Sequence, residues 1–219
     1  MRIGIIGAGH IGGTLTRRLR ALGHDVEVAN SRGPETLADL ARETGAKAVR
    51  IEDAARNKEL VIVTIPERAI TELPKDLFAG VPDDVPVVDT GNYYPQRDGR
   101  IAPIEDGTTE SEWVAQQLGR PVIKVFNSIY AKHLMDLGKS RDDSGRLALP
   151  VSGDDGAAKR KVMALIDELG FDAVDAGPLS DSWKQQPGTP VYGADLDVAG
   201  VKKALSEASP ERPNGFRAK

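Results

Sequence analysis

A chain of 219 residues with 40% hydrophobic and 28% charged residues, a formal net charge of -4 and no cysteine has the make-up of a globular protein able to bury a sizeable core. The weak negative charge gives no positive field for nucleic acid, and the missing cysteine excludes disulfides, thiolate nucleophiles and Cys-ligated metals. No apolar run approaches the roughly 18 residues of a membrane span, and the opening apolar stretch is too short for a signal-peptide core, so a cytoplasmic protein without a membrane partner is expected.

The chain opens on Arg2 to Ile6, a short apolar run that reads as a buried parallel strand. Ile11, Leu15, Leu19 and Leu22 then recur at helical spacing, with Arg17, Arg18 and Arg20 on the wet side and Gly23 at the stop. A second strand, DVEVAN, follows at Asp25 to Asn30. Pro34 marks the start of another helix, with Leu37, Leu40 and Ala41 inward and Gly45 at its end. KAVRI is a short third strand and ELVIVTIP an apolar fourth one closed by Pro66. This alternation predicts right-handed βαβ units on a parallel sheet. VPVVDT, PVIKVFN, RLALPVSG and FDAVDAG read as further strands, and ESEWVAQQLG and DGAAKRKVMALIDELG as helices. The expected fold class is α/β, Rossmann-like and doubly wound, with a mostly parallel sheet and helices on both faces. One domain is expected over residues 1–219: a nucleotide-binding core over 1–95, a continuation of the sheet on the acceptor side over 96–180, and an irregular tail over 181–219.

Between the first strand and the first helix, Gly7, Gly9 and Gly12 stand in G-x-G-x-x-G spacing. In a βαβ unit, Gly7 makes the turn, Gly9 lets a pyrophosphate approach the backbone, and Gly12 lets helix and strand pack closely. His10 and Ile11 lie inside the loop, where backbone N–H groups at the helix start are the phosphate donors. A tight turn without a ligand is the alternative. An NAD site ordinarily places Asp or Glu after the second strand, whereas this chain has Asn30-Ser31-Arg32. Ser31 and Arg32 suit a 2′-phosphate, which favours NADP(H). Glu27 is the competing acidic residue, but its register falls short of the strand end.

The stretch MRIGIIGAGHIGGTLTRRLRALGHDVEVANSRGPE, with VIVTIP and the later LPVSGDD and VMALIDELGFDAVDAGPL, resembles the coenzyme F-420-dependent NADP reductases, with a pyrroline-5-carboxylate reductase-like NADP-binding domain. The resemblance covers most of residues 1–180. It implies hydride exchange between NADP(H) and a deazaflavin, in a homodimer. It places the phosphate loop at Gly9 to Gly12 and the 2′-phosphate site at Ser31 and Arg32. It also puts Ile65, Pro66 and the stretch NSIYA, including Asn127, Ile129 and Ala131, along the nicotinamide and acceptor. After Leu179 the chain departs from the family, with SDSWKQQPGTPVYGADLD where an apolar helix would help to cover the acceptor.

Ligands of open α/β sheets bind beyond the carboxyl ends of the strands. That places the pocket at Gly7 to Ile11, Thr64 to Pro66, Thr90 to Tyr94 and Asn127 to Tyr130. With a deazaflavin or flavin as the small-molecule acceptor, solvent can supply the proton and no dedicated acid is required. His133, Tyr93 and Tyr130 are the catalytic candidates, each with a packing role as alternative, and Tyr94 shares the aromatic reading. His24 reads as a surface or capping residue, Asp154-Asp155 as a helix cap rather than a metal site, and Trp183 to Gly193 as a lid or as surface packing. The rival readings are a reductase of small imines or carbonyls and a non-catalytic NADP(H)-sensing module.

Overall fold

The computed structural model describes residues 1–218. Strands β1 (Arg2–Ile6), β2 (Asp25–Ala29), β3 (Lys47–Ala48), β4 (Leu60–Val63), β5 (Val87–Asp89) and β6 (Ile123–Lys124) form a 6-stranded sheet. All its neighbours pair in parallel, in the order β3-β2-β1-β4-β5-β6. That order is the doubly wound one, with the strand sequence reversing direction between β1 and β4. The helices are α1 (His10–Ala21), α2 (Ala38–Thr44), α3 (Ile51–Ala54), α4 (Glu67–Ile70), α5 (Pro95–Asp98), α6 (Ala102–Glu105), α7 (Glu110–Leu118), α8 (Ala131–Asp136), α9 (Gly156–Glu168) and α10 (Val198–Ser206).

The β1 strand shows why the sequence reads as continuously apolar. Ile3 and Ile5 join one core with Leu15 and Leu19 of α1, Leu134 of α8, and Val162, Leu165 and Ile166 of α9. Ile6, one step along the pleat, joins the opposite core with Ala54, Ile70, and Trp113 and Val114 of α7. Both faces are covered, so both sets of side chains must be apolar.

Two expectations are corrected. Strands β7 (Ala148–Val151) and β8 (Asp172–Asp175) do not continue the main sheet; they form a separate, parallel 2-stranded sheet. Its link to β6 is an antiparallel bridge between Lys124 and Ser152. The chain meets β6 antiparallel and at this one bridge, so the parallel ladder ends at β6. The stretch expected to be irregular also contains a full helix, α10. Asp197 caps it by accepting from the Gly200 N–H at 2.8 Å, and Val201 and Ala204 close a small core over β7 and β8 with Val191.

Candidate functional site

The glycine loop shows what each glycine is for. Gly7 has φ 109°, and a Cβ there would lie 2.2 Å from the Thr64 carbonyl oxygen. A Cβ on Gly12 would lie 2.0 Å from the Gly7 carbonyl oxygen, so the start of α1 packs directly on the β1 turn. Gly9 is different: a Cβ there would meet nothing within 4 Å. Packing therefore does not require glycine at position 9; the space above it is open for a ligand. Gly9 is also the N-cap of α1, with no side chain on the terminal N–H groups and no acidic residue in the first turn. Unspent donors and the positive end of the helix dipole make this a natural phosphate seat.

Beyond β2, Asn30 shapes the loop rather than facing outward. Its Oδ1 accepts from the Arg32 N–H at 2.9 Å and its Nδ2 donates to Thr36 Oγ1 at 2.9 Å. Ser31 and Arg32 are left exposed, and Arg32 takes no ion pair among the described residues. Glu27 is spent elsewhere: Lys58 Nζ sits 2.8 Å and Lys47 Nζ 3.2 Å from its carboxylate. Burial works against its charge, but the two lysines outweigh that and hold its pKa below the usual range. A carboxylate so engaged is not available to a ribose. Gly7, Gly9, Asn30, Ser31, Arg32, Ile65 and Pro66 converge on one cavity of about 480 Å³. Gly9, His10, Arg32 and Ala131 line a second of about 710 Å³ on the other side of the loop. These residues fit a nucleotide bearing a 2′-phosphate: an open cradle at Gly9 with an uncommitted guanidinium at the end of β2.

Asn127 and Ile129 are placed differently. Both are buried, and Ile129 belongs to the core. The Asn127 amide donates to the Gln185 carbonyl at 2.6 Å and to Asn92 Oδ1 at 3.1 Å, while Asn92 Nδ2 donates to the Asn127 carbonyl at 2.9 Å. Gln185 is itself fully buried; its Nε2 donates to Asn127 Oδ1 at 3.0 Å and its Oε1 accepts from Ser152 at 2.9 Å. This amide network ties the segment after Leu179 to the carboxyl ends of β5 and β6. Gln185, rather than Trp183, is the residue that anchors it.

Of the acid–base candidates, Tyr93 is a core residue. Its hydroxyl is bonded with the Gly99 carbonyl and the Glu105 carboxylate, both at 2.9 Å. Tyr94 pairs its hydroxyl with that of Tyr192 under the Arg97 guanidinium, and burial raises its pKa further above the usual phenol value. Tyr130 is 57% exposed and meets the His133 ring edge-on at 5.4 Å between centroids. His133 Nδ1 lies 2.9 Å from Asp195 Oδ1. His24 is not a surface residue: it is buried between the chain's amino terminus, 3.1 Å from Nδ1, and Glu168, 3.0 Å from Nε2. Asp155 caps α9 through the Ala157 and Ala158 N–H groups, and Asp154 accepts from the Leu179 N–H at 3.0 Å.

Sequence reading missed a charged cluster inside the carboxyl edge. Lys124 Nζ donates to Asp89 Oδ2 at 3.1 Å and to the Gly91 carbonyl at 2.6 Å, and Ser111 donates to Asp89 at 2.7 Å. Arg212 reaches buried Glu110 at 2.9 Å, and Glu67 is sealed nearby. The one signal was a charge ending each of two apolar strands, VVD and IK. Phe126 follows with φ 64°, a strained conformation for a buried aromatic residue and common at functional sites.

No described helix is long and apolar enough to cross a membrane. Residues 2–93 match the family described as NADP oxidoreductase, coenzyme F420-dependent. The solved structure of a hypothetical protein, SMa0349, of Sinorhizobium meliloti is 32% identical, with a TM-score of 0.77 over 90% of this chain and 95% of that one. A candidate F420-dependent NADP reductase of Arthrobacter sp. FB24 is 25% identical, with a TM-score of 0.69 over 83% of this chain and 87% of that one. The Escherichia coli (strain K12) protein YjhV is 45% identical over 61 residues, 28% of this chain and 44% of the length of that relative. With its sheet order, its open glycine cradle and these relatives, the chain belongs to the NADP oxidoreductase, coenzyme F420-dependent, family, whose members are NADP-dependent oxidoreductases.

Proposed function

We propose that this protein is a cytoplasmic enzyme that passes hydride between NADP(H) and a planar small-molecule acceptor, a deazaflavin such as coenzyme F420 or a flavin. The observation that carries the NADP(H) half is the open space over Gly9 beside Arg32, which takes no ion pair among the described residues. The N–H groups at the start of α1 would hold the pyrophosphate, and Ser31 and Arg32 the 2′-phosphate. When bound, the nicotinamide supplies the two-electron chemistry. In a doubly wound sheet its half of the dinucleotide lies over β4, β5 and β6, so Ile65 and Pro66 would shield it and the Asn92–Asn127–Gln185 network would fix the floor. The acceptor class follows the family's description. It is supported by the engagement of the Tyr93 and Tyr94 hydroxyls within the protein, because a flavin-like ring takes its proton from solvent.

One observation favours a second reading, reduction of a small imine or carbonyl. Asp195 orients His133, and Tyr130 stands exposed against the His133 ring. An oriented His of this kind is a competent general acid. NADPH oxidation measured against a deazaflavin, FMN, FAD and cyclic imines, with His133→Ala alongside wild type, separates the readings. Turnover of a deazaflavin or flavin with less than about a tenfold loss in the variant supports the first, because a positioned acid contributes about 10²–10⁴-fold. Turnover confined to imines, with a loss in that range, establishes the second.

A further inference from the structure

Glu67 is the first residue after Pro66, and its side chain turns inward from the cofactor cavity wall. It is 0% exposed, and neither carboxylate oxygen has a hydrogen-bond partner among the described residues. Its immediate neighbour is the β5 turn: a Cβ on Gly91 would lie 2.5 Å from Glu67 Oε1 and 3.0 Å from Asp89 Oδ1. The charged groups that face it are Asp89 of β5, Lys124 of β6, Glu110 of α7 and Asp98 of α5. Asp98 is engaged by Arg97 at 2.8 Å and by the Tyr94 N–H at 2.9 Å. The remaining charges balance if Glu67 is neutral: Asp89 and Glu110 face Lys124 and Arg212, each in contact with its partner. An ionised Glu67 would leave one uncompensated buried charge, which is expensive. Burial, reinforced by Asp89, accordingly pushes its carboxyl well above the usual carboxylate range. Glu110 is the other raised carboxyl of the cluster, but Arg212 bonds it, so the proton belongs on Glu67.

A balanced neutral cluster under β4, β5 and β6 is sensitive to a cation placed above it. We propose that the Glu67 carboxyl is a proton site linked to the charge of the nicotinamide, protonated beneath the neutral reduced ring and ionised beneath the cationic oxidised ring. This rests on the NADP(H) reading above. In the binding equilibrium, the Glu67 carboxylic acid and NADP⁺ give the bound NADP⁺, the Glu67 carboxylate and one proton released to solvent. NADPH binds without that release. Glu67 thereby acts as a positioning residue: it keeps the summed charge of ring and carboxyl constant in both redox states and favours the oxidised nucleotide as pH rises.

The test is calorimetric titration of NADP⁺ and of NADPH into the full-length protein near neutral pH, in buffers of different ionisation enthalpy. The 2′-phosphate also titrates near pH 6, but both nucleotides carry it, so its contribution cancels in their difference. Wild type is expected to release up to one more proton with NADP⁺ than with NADPH. Its NADP⁺ affinity, relative to NADPH, should rise by up to about tenfold per pH unit, the limit for one linked proton. In Glu67→Gln, which keeps the neutral shape, the difference in proton release and the relative pH slope should both vanish. Equal proton release by the two nucleotides in wild type overturns the proposal, whether or not the variant folds. So does a Glu67→Gln protein that keeps the difference. If neither nucleotide binds, the NADP(H) reading itself falls and this proposal with it.

Discussion

Arg32 and the glycines carry the most direct tests because their surroundings are so unlike. Arg32 has no competing anion among the described residues, so Arg32→Ala removes a charge-assisted contact and little else. NADPH affinity should fall by about 1.5–3 kcal/mol, the range for hydrogen bonds to charged groups, while NADH affinity stays where it is. Equal affinities of wild type for the two nucleotides would remove Arg32 from the site. Gly9 and Gly12 should fail in opposite ways. Gly9→Val adds its methyls to open space, so the variant should fold with an unchanged circular dichroism spectrum and lose at most about 1 kcal/mol to the poorer N-cap, yet lose nucleotide binding. Gly12→Val drives a side chain into the Gly7 carbonyl, 2.0 Å from where its Cβ must sit, and should lower the melting temperature as well. A Gly9→Val protein that binds NADPH normally would reduce the loop to a turn.

At the level of elements, β1, α1, β2, β4 and α7 were legible because each is long enough to show its period: Ile3, Ile5 and Ile6 on both faces of a buried strand, Leu15 and Leu19 on one stripe of a helix. Ser31 and Arg32 were legible from position alone, since the end of β2 is where a ribose is read. What was hidden depends on contacts between distant residues. Nothing local marks Gln185 as buried or Tyr93 as core, and nothing local shows that the chain after β6 returns to it at one antiparallel bridge, at Ser152, rather than as a further parallel strand. The α10 helix was hidden by the Pro- and Gly-rich stretch around it, although Asp197 before Val198, Val201 and Ala204 is an ordinary cap-and-stripe signal. Gln185 is the element-scale test. Gln185→Ala strips the partner from the buried Ser152 hydroxyl and from Asn127 Oδ1. It should cost about 1–3 kcal/mol in chemical denaturation, the penalty for leaving buried polar groups unpaired. A loss under half a kilocalorie would show that the segment after Leu179 is not held through this amide.

Across the whole molecule, the last described stretch reaches back to the carboxyl edge. Arg212 donates to buried Glu110 at 2.9 Å and to Gln186 at 3.0 Å, and its guanidinium lies 5.3 Å from the Tyr93 ring centroid. Further along, Gln96 donates to the Gly215 carbonyl and the Ala218 N–H to Glu105. The carboxyl-terminal segment is therefore part of the core's charge balance. Removing one partner of a buried pair costs about 3–5 kcal/mol because the other charge is left uncompensated, but Glu110 can escape that cost by taking up a proton. Burial already raises its pKa against the opposing pull of Lys124 and Arg212, and in Arg212→Ala it must rise further. A carboxyl whose folded pKa is raised contributes stability below its unfolded value and loses it as pH climbs through the folded value. In acid, Glu110 is protonated in both proteins, and the variant should lose only the packing on Tyr93 and the bond to Gln186. As pH rises above the ordinary carboxylate range, wild type can ionise Glu110 against Arg212 and the variant cannot, so the gap should widen toward the full penalty. Urea denaturation of both proteins across pH 4–9 reads this directly. A gap that stays flat, or narrows toward alkaline pH, would mean that Arg212 holds the segment through packing alone.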